Sequence, residues 1–152
     1  MASLHYPYLP AGRKILYVPE DNPFIRAARE CALAHSLDER QKTGSVVVKN
    51  GRIIGQGANG SDYHRTHGCE RARRGIPTGE RYDLCEGCSP KNHSEPKALA
   101  AARVADLDTR GADLYLWGHW WCCRPCWDAM IDAEIQNVYL VDGSERLFNT
   151  KR

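Results

Sequence analysis

The sequence predicts an α/β fold, a three-layer α/β/α sandwich around a mixed central sheet, on three observations. Two β-rich runs, Ser45-Val46-Val47-Val48-Lys49 and Arg52-Ile53-Ile54-Gly55, flank Asn50-Gly51, a dipeptide suited to the tight turn of a two-residue hairpin. Two later apolar runs, at Asp113–Trp117 and Asn137–Val141, have the length and composition of buried strands. Segments of helical periodicity alternate with these strands, so an antiparallel hairpin and parallel crossovers share one sheet, with helices on both faces. A chain of 152 residues that is 42% hydrophobic is expected to form one domain, residues 1–152, able to bury a core of its own.

Residues 1–20 carry Tyr6, Pro7, Tyr8, Pro10, Tyr17 and Pro19 without periodicity, and are expected to form an irregular arm draped on the domain or on a neighbouring subunit. Their first fourteen lack the apolar run of a secretory leader or a membrane span. Asn22 before Pro23 is an N-cap and first-turn signal. Phe24, Ala27, Ala28, Cys31 and Ala34 or His35 then recur at helical spacing to about residue 37, with Cys31 as a core residue and His35 as a cation at the helix end. The hairpin over 44–56 follows. Gly57-Ala58-Asn59-Gly60 then makes a sharp turn at a strand end, where Asn59 taken alone reads as a turn residue.

A polar insertion occupies about 61–92, too long to be an idle connection. It holds His64, His67, Cys69, Cys85 and Cys88, enough donors for a second, structural zinc in a segment poor in apolar residues. The alternative is a substrate loop whose thiols bind no metal. Arg65, Arg71, Arg73, Arg74 and Arg81 also lie here, among four acidic residues from Asp62 to Asp83. A solvated charged face accounts for most of them, and a phosphate contact is the competing role.

From Glu95 the residues Pro96-Lys97-Ala98-Leu99-Ala100-Ala101-Ala102-Arg103 form helix readily, with the proline tolerated in the first turn. A strand at Asp113–Trp117, a helix over 123–133 with Trp127, Met130 and Ile131 inward, a strand at Asn137–Val141 and a short tail complete the chain. His93 and Cys123 therefore stand at two helix entrances that this topology sets side by side on one face.

The chemistry of the chain concentrates there. His93, Cys123 and Cys126 offer one nitrogen and two thiolates to a zinc ion, which leaves a fourth tetrahedral position open, as in a catalytic rather than a structural site. Glu95, two residues past the histidine, is then free to move protons. Cys122 leaves a second pairing open, since Cys122 and Cys126 also share a helical face. Cys123-x-x-Cys126 is preferred for its common zinc spacing at a helix N-terminus, where amide dipoles favour thiolates. Six of the seven cysteines, Cys31 apart, fall in the two clusters, which reads as metal binding in a reducing, cytoplasmic compartment rather than a disulfide framework. A formal net charge of +2 is too mild to announce a nucleic-acid binder.

His93-x-Glu95 followed by Cys123-x-x-Cys126 resembles the signature of zinc-dependent nucleobase deaminases. The segment from Thr43 to Gly60 is similar to the hairpin and glycine-x-asparagine-glycine turn of the cytidine deaminase superfamily. Residues 68–85, Gly-Cys-Glu-Arg-Ala-Arg-Arg-Gly-Ile-Pro-Thr-Gly-Glu-Arg-Tyr-Asp-Leu-Cys, resemble the insertion that bacterial deoxycytidylate deaminases carry before their His-x-Glu motif. The resemblance spans roughly residues 20–142, in keeping with a single domain. It implies hydrolytic deamination of dCMP to dUMP and ammonia, a catalytic Zn2+ on His93, Cys123 and Cys126, proton shuttling by Glu95, and a hydrogen bond from Asn59 to a small-molecule nucleotide. It also implies a homo-oligomer and a deoxynucleoside triphosphate effector. Three features depart from the family: Ser94 replaces the usual alanine, four residues separate Cys88 from His93, and His119-Trp120-Trp121-Cys122 replaces a Thr-x-x-Pro stretch. Trp120 and Trp121 are expected in the core, with base stacking or a subunit contact as the alternative.

Overall fold

The structure, a computed structural model, describes residues 8–77 and 79–149. Its centre is a five-stranded sheet of β1 (Ile15–Val18), β2 (Gly44–Lys49), β3 (Arg52–Ala58), β4 (Asp113–Trp117) and β5 (Asn137–Val141), in the order β1-β5-β4-β2-β3. β1, β5 and β4 run parallel to one another, and β2 runs antiparallel to both β4 and β3. The sheet is therefore mixed. The hairpin turn forms as expected, with Asn50 at φ 53° and Gly51 at φ 76°, and a register shift after Val47 follows it within the ladder.

Period-two alternation divides the strands between two cores. On one face lies α1 (Pro23–His35), started by Asn22, whose side-chain oxygen accepts from the Phe24 and Ile25 amides at 2.9 and 3.2 Å. Its Ile25 and Ala28 pack with Val46, Val48, Tyr115 and Val141. On the other face lie α4 (Ser94–Val104) and α5 (Arg124–Asp132), where Leu99, Trp127 and Met130 meet Val47, Leu114, Leu116, Val138 and Leu140. This is the expected three-layer α/β/α arrangement, with both signature-bearing helices in one layer.

Bare backbone lets α4 settle onto β3. A Cβ on Gly55 would stand 2.3 Å from the Ala98 carbonyl oxygen, and one on Gly57 would stand 2.6 Å from the Ala98 nitrogen. With Ala98 and Ala102 facing these glycines, the helix that carries Glu95 lies closer to the sheet than larger side chains would permit.

Three expectations are corrected. The arm over 1–20 is not irregular throughout, because Ile15–Val18 adds a strand that pairs in parallel with β5, Ile15 opposite Val138. Tyr6 and Pro7 lie outside the described residues. The tail contains a helix, α6 (Ser144–Phe148), whose Phe148 ring meets Trp117 edge-on at 5.0 Å between centroids. Ile131 does not face inward and is 39% exposed, since Trp127 and Met130 set the buried face and the next residue lies about 100° further round the helix. The insertion folds as two short helices, α2 (Tyr63–His67) and α3 (Glu70–Arg73), and three single 3-10 turns at Tyr82–Leu84, Glu86–Cys88 and Pro90–Asn92. No helix among the described residues is long and apolar enough to cross a membrane.

Candidate active site

His93 is the extended residue that caps α4, and Cys123 holds the same place before α5. Because both helices begin at the same end of their layer, their first turns converge. His93 Nδ1 lies 3.4 Å from Cys123 Sγ and 3.3 Å from Cys126 Sγ, and the two sulfurs are 3.2 Å apart. The other ring nitrogen of His93 is 3.2 Å from the Cys88 carbonyl oxygen. A carbonyl only accepts, so Nε2 carries the proton and Nδ1 presents its lone pair to the two sulfurs. One imidazole nitrogen and two sulfurs, with the fourth side bordering a pocket, suit a zinc ion.

The three donors are strongly coupled electrostatically. Contact with Cys126 lowers the Cys123 thiol to about 5, while the same contact raises Cys126 well above the ordinary thiol range. Burial pulls His93 down, but Cys123 more than offsets it and the net direction is upward.

Glu95 points into the same pocket and is only 6% exposed. Burial, with Cys123 adding to it, raises its carboxyl above the usual range. Ser94 Oγ donates to Glu95 Oε1 at 3.0 Å and lies 2.8 Å from Ser45 Oγ in β2. Cys122 is fully buried and is not part of the three-residue donor set; its thiol contacts Glu95, and burial raises it strongly. Neither composition nor spacing points to a role for these serines at Glu95, because their partnership exists only once β2 and α4 are in contact.

The pocket walls come from four loops. Asn59 lines it, with Oδ1 accepting from the Thr43 amide at 2.9 Å and the Ser36 hydroxyl at 2.5 Å, and Nδ2 donating to Gln41 O at 2.8 Å. It thus fixes the rim formed by 36–43. His119 and Trp121 also line the pocket, His119 Nδ1 accepting from the Trp121 amide at 3.1 Å. Burial depresses His119 to about 4, so the ring is neutral near pH 7. Trp121 is 5% exposed, whereas Trp120 is half-buried and stacks on His119 at 4.4 Å between centroids. The insertion supplies the remaining wall through Arg71, Tyr82, Gly87, Cys88 and Asn92. Arg71 is itself buried, fastened by the Glu80 and Pro77 carbonyls at 2.8 and 2.7 Å, with its guanidinium 4.7 Å from the Tyr82 ring centroid. Arg65, Arg73, Arg74 and Arg81 instead pair with neighbouring carboxylates at the surface.

Of the five metal donors noted in the insertion, four converge. His64, Cys69, Cys85 and Cys88 place one ligand atom each within 4.8 Å of one another. His67 stays outside this set: its Nδ1 is 2.8 Å from Thr66 Oγ1, and its ring stacks on Tyr63 at 4.3 Å. The two histidines lie one helical turn apart on α2, and spacing alone could not say which would turn inward.

Comparison with solved structures finds the dCMP deaminase of cyanophage S-TIM5 in its apo form, at 22% identity and a TM-score of 0.53, covering 83% of this chain and 86% of that one. The same enzyme in complex with dCMP and dUMP matches at 21% identity and a TM-score of 0.50, over 80% and 82% of the two chains. These two likenesses concern the fold. A diaminohydroxyphosphoribosylaminopyrimidine deaminase/5-amino-6-(5-phosphoribosylamino)uracil reductase from Thermotoga maritima matches at 26% identity and a TM-score of 0.49; the match covers 79% of this chain and 29% of that longer protein. No curated protein sequence matches significantly. The family described as the cytidine and deoxycytidylate deaminase zinc-binding region matches residues 19–142, which contain the whole sheet but β1 and both converging helices. The chain belongs to the cytidine and deoxycytidylate deaminase family.

Proposed function

We propose that this zinc-binding deaminase hydrolyses the exocyclic amine of a cytosine nucleotide, converting dCMP to dUMP and ammonia. The observation that carries the proposal is the placement of Glu95: a buried carboxyl beside a two-sulfur, one-nitrogen donor set, on the wall of a pocket open to a ligand.

His93 Nδ1, Cys123 Sγ and Cys126 Sγ would hold the ion. When bound there, zinc supplies the Lewis acidity that activates water as the nucleophile. Glu95 takes a proton from that water and passes it to N3 of the ring as oxygen adds to C4. It then takes the proton of the new C4 hydroxyl and delivers it to the amine, the C4–N bond breaks, and ammonia leaves as the C4 carbonyl forms. The raised Glu95 carboxyl suits a group that must hold a proton between these events. Ser94 donates to Oε1 and so orients the carboxyl for the transfers. Asn59 spends one amide hydrogen on Gln41 O and has a second for the nucleotide.

The nucleotide reading is supported by the insertion, whose sequence resembles that of deoxycytidylate deaminases and whose Arg71 brings a cation to the pocket wall. A homo-oligomer, a deoxynucleoside triphosphate effector and a cytoplasmic setting go with this reading and rest on the resemblance and the cysteine usage. The family also covers cytidine deaminases, so a nucleoside is the second reading.

Ammonia release from zinc-replete protein offered dCMP, CMP, deoxycytidine, cytosine and a short cytosine-containing single strand tests the assignment. Preference for dCMP is expected. Turnover of a nucleoside, a base or the strand alone would remove the nucleotide assignment and leave the deaminase chemistry.

A further inference from the structure

The donors of the insertion surround a point about as closely as those of the active site. His64 Nε2 lies 3.2 Å from Cys85 Sγ and 3.5 Å from Cys88 Sγ, and Cys69 Sγ lies 3.6 Å from Cys88 Sγ. The four come from α2, from the residue before α3 and from the two sides of the Glu86–Cys88 turn. Among the described residues of the insertion only Arg71, Cys85 and Gly87 are buried. Ordinary hydrophobic packing gives this segment little reason to hold its shape.

Two further features favour a tetrahedral site. A Cβ on Gly87 would stand 2.7 Å from His64 Nε2, so the Cys85-x-Gly87-Cys88 turn must be bare at that residue for the imidazole to reach both sulfurs. The Ala72 amide donates to Cys69 Sγ at 3.4 Å, and the Arg71 guanidinium lies beside Cys88 Sγ. A backbone N–H and a cation directed at the sulfurs match the negative charge they carry as metal ligands, against the burial that raises the Cys88 thiol to about 12. Three thiolates on a divalent ion leave one negative charge, which Arg71 offsets.

We propose that His64, Cys69, Cys85 and Cys88 form a closed, four-ligand zinc site that orders the insertion and, through the Cys88 carbonyl, fixes the ring of His93. Four protein ligands leave no position for water, so the role is structural. The backbone of Cys88 connects the two centres: its sulfur belongs to the second set and its carbonyl oxygen takes the Nε2 proton of His93 at 3.2 Å. A bond of this kind settles which nitrogen faces the metal and how the ring is turned. The second half of the proposal rests on the reading of His93 as a ligand of the catalytic ion; the first half does not.

Zinc content of Cys69→Ser and Cys123→Ser proteins, purified under reducing conditions, separates the two halves. The wild type should hold two zinc ions per chain and each variant one. Cys69→Ser protein with the same zinc content as the wild type would overturn the structural site. If Cys69→Ser fails to fold, X-ray absorption at the zinc edge of the wild type decides: a mean near 2.5 sulfur ligands per zinc is expected for the two donor sets, and a mean of about 2 overturns the proposal. For the coupling, zinc retained by Cys69→Ser should bind at least about tenfold more weakly than the corresponding zinc of the wild type. Unchanged affinity would overturn the link through Cys88, whereas loss of no zinc from Cys123→Ser would count against the catalytic site alone.

Discussion

Ser94 donates a hydrogen bond to the carboxylate of its neighbour Glu95 at 3.0 Å, and is held for that task by Ser45 of the adjoining strand at 2.8 Å. Ser45 and Ser94 are both fully buried, so neither hydroxyl can turn to water for a substitute partner. Ser94→Ala should strand the Ser45 hydroxyl and lower stability by about 1–3 kcal/mol, the usual cost of an unsatisfied buried polar group. Ser45→Ala/Ser94→Ala should lose less than the sum of the two single changes, measured by denaturant unfolding in a double-mutant cycle. Simple additivity would mean that the pair is not coupled.

Cys122 and Cys123 are adjacent in sequence but have different assignments. Cys122→Ala should keep the wild-type zinc content, because its sulfur lies outside the donor set, while Cys123→Ala should lose the catalytic ion. Metal analysis of the two proteins, side by side, checks the assignment; loss of zinc from Cys122→Ala would exchange the roles.

The α4–β3 contact depends on Gly55. Gly55→Ala places a methyl group where the Ala98 carbonyl stands 2.3 Å away, and backbone cannot rotate aside as a side chain can. A loss of about 1–3 kcal/mol is expected from overpacking, together with reduced turnover because α4 carries Glu95. Turnover at the wild-type level in a destabilised Gly55→Ala protein would show that the site tolerates a shift of the helix.

His119 gives the stability a pH dependence of defined sign. Its native value of about 4 lies below the ordinary histidine value, so between the two the unfolded chain binds a proton that the folded chain does not. This contribution is present near pH 7 and is lost as the pH falls toward 4. Between pH 7 and 5 the wild type should lose up to about 2 kcal/mol more stability than His119→Gln. Equal losses in the two proteins would show that the ring titrates normally in the fold.

The sequence made the hairpin, the α1 cap and the later strands legible because each is specified locally: Asn50-Gly51 by its turn geometry, Asn22-Pro23 by its capping chemistry, Asp113–Trp117 and Asn137–Val141 by apolar runs. β1 was not legible, because Ile15–Val18 becomes a strand only against β5, more than a hundred residues away. α6 is a helix of five residues whose Phe148 docks on Trp117, another distant partner. At the site, spacing brought His93, Cys123, Cys126 and Glu95 into view. The roles of Ser45, His119 and the Cys88 carbonyl depend on segments distant in sequence meeting in space and leave no local trace. For the insertion, sequence supplied a set of donors, and only the fold distinguished His64 from His67.

The central claim is that Glu95 moves the protons of a hydrolytic deamination. Ammonia release from dCMP by wild-type and Glu95→Gln proteins, with zinc content measured on the same samples, tests it most directly. Loss of turnover by about two or more orders of magnitude in Glu95→Gln at unchanged zinc is the expected result. Near-normal turnover in that variant would contradict the account.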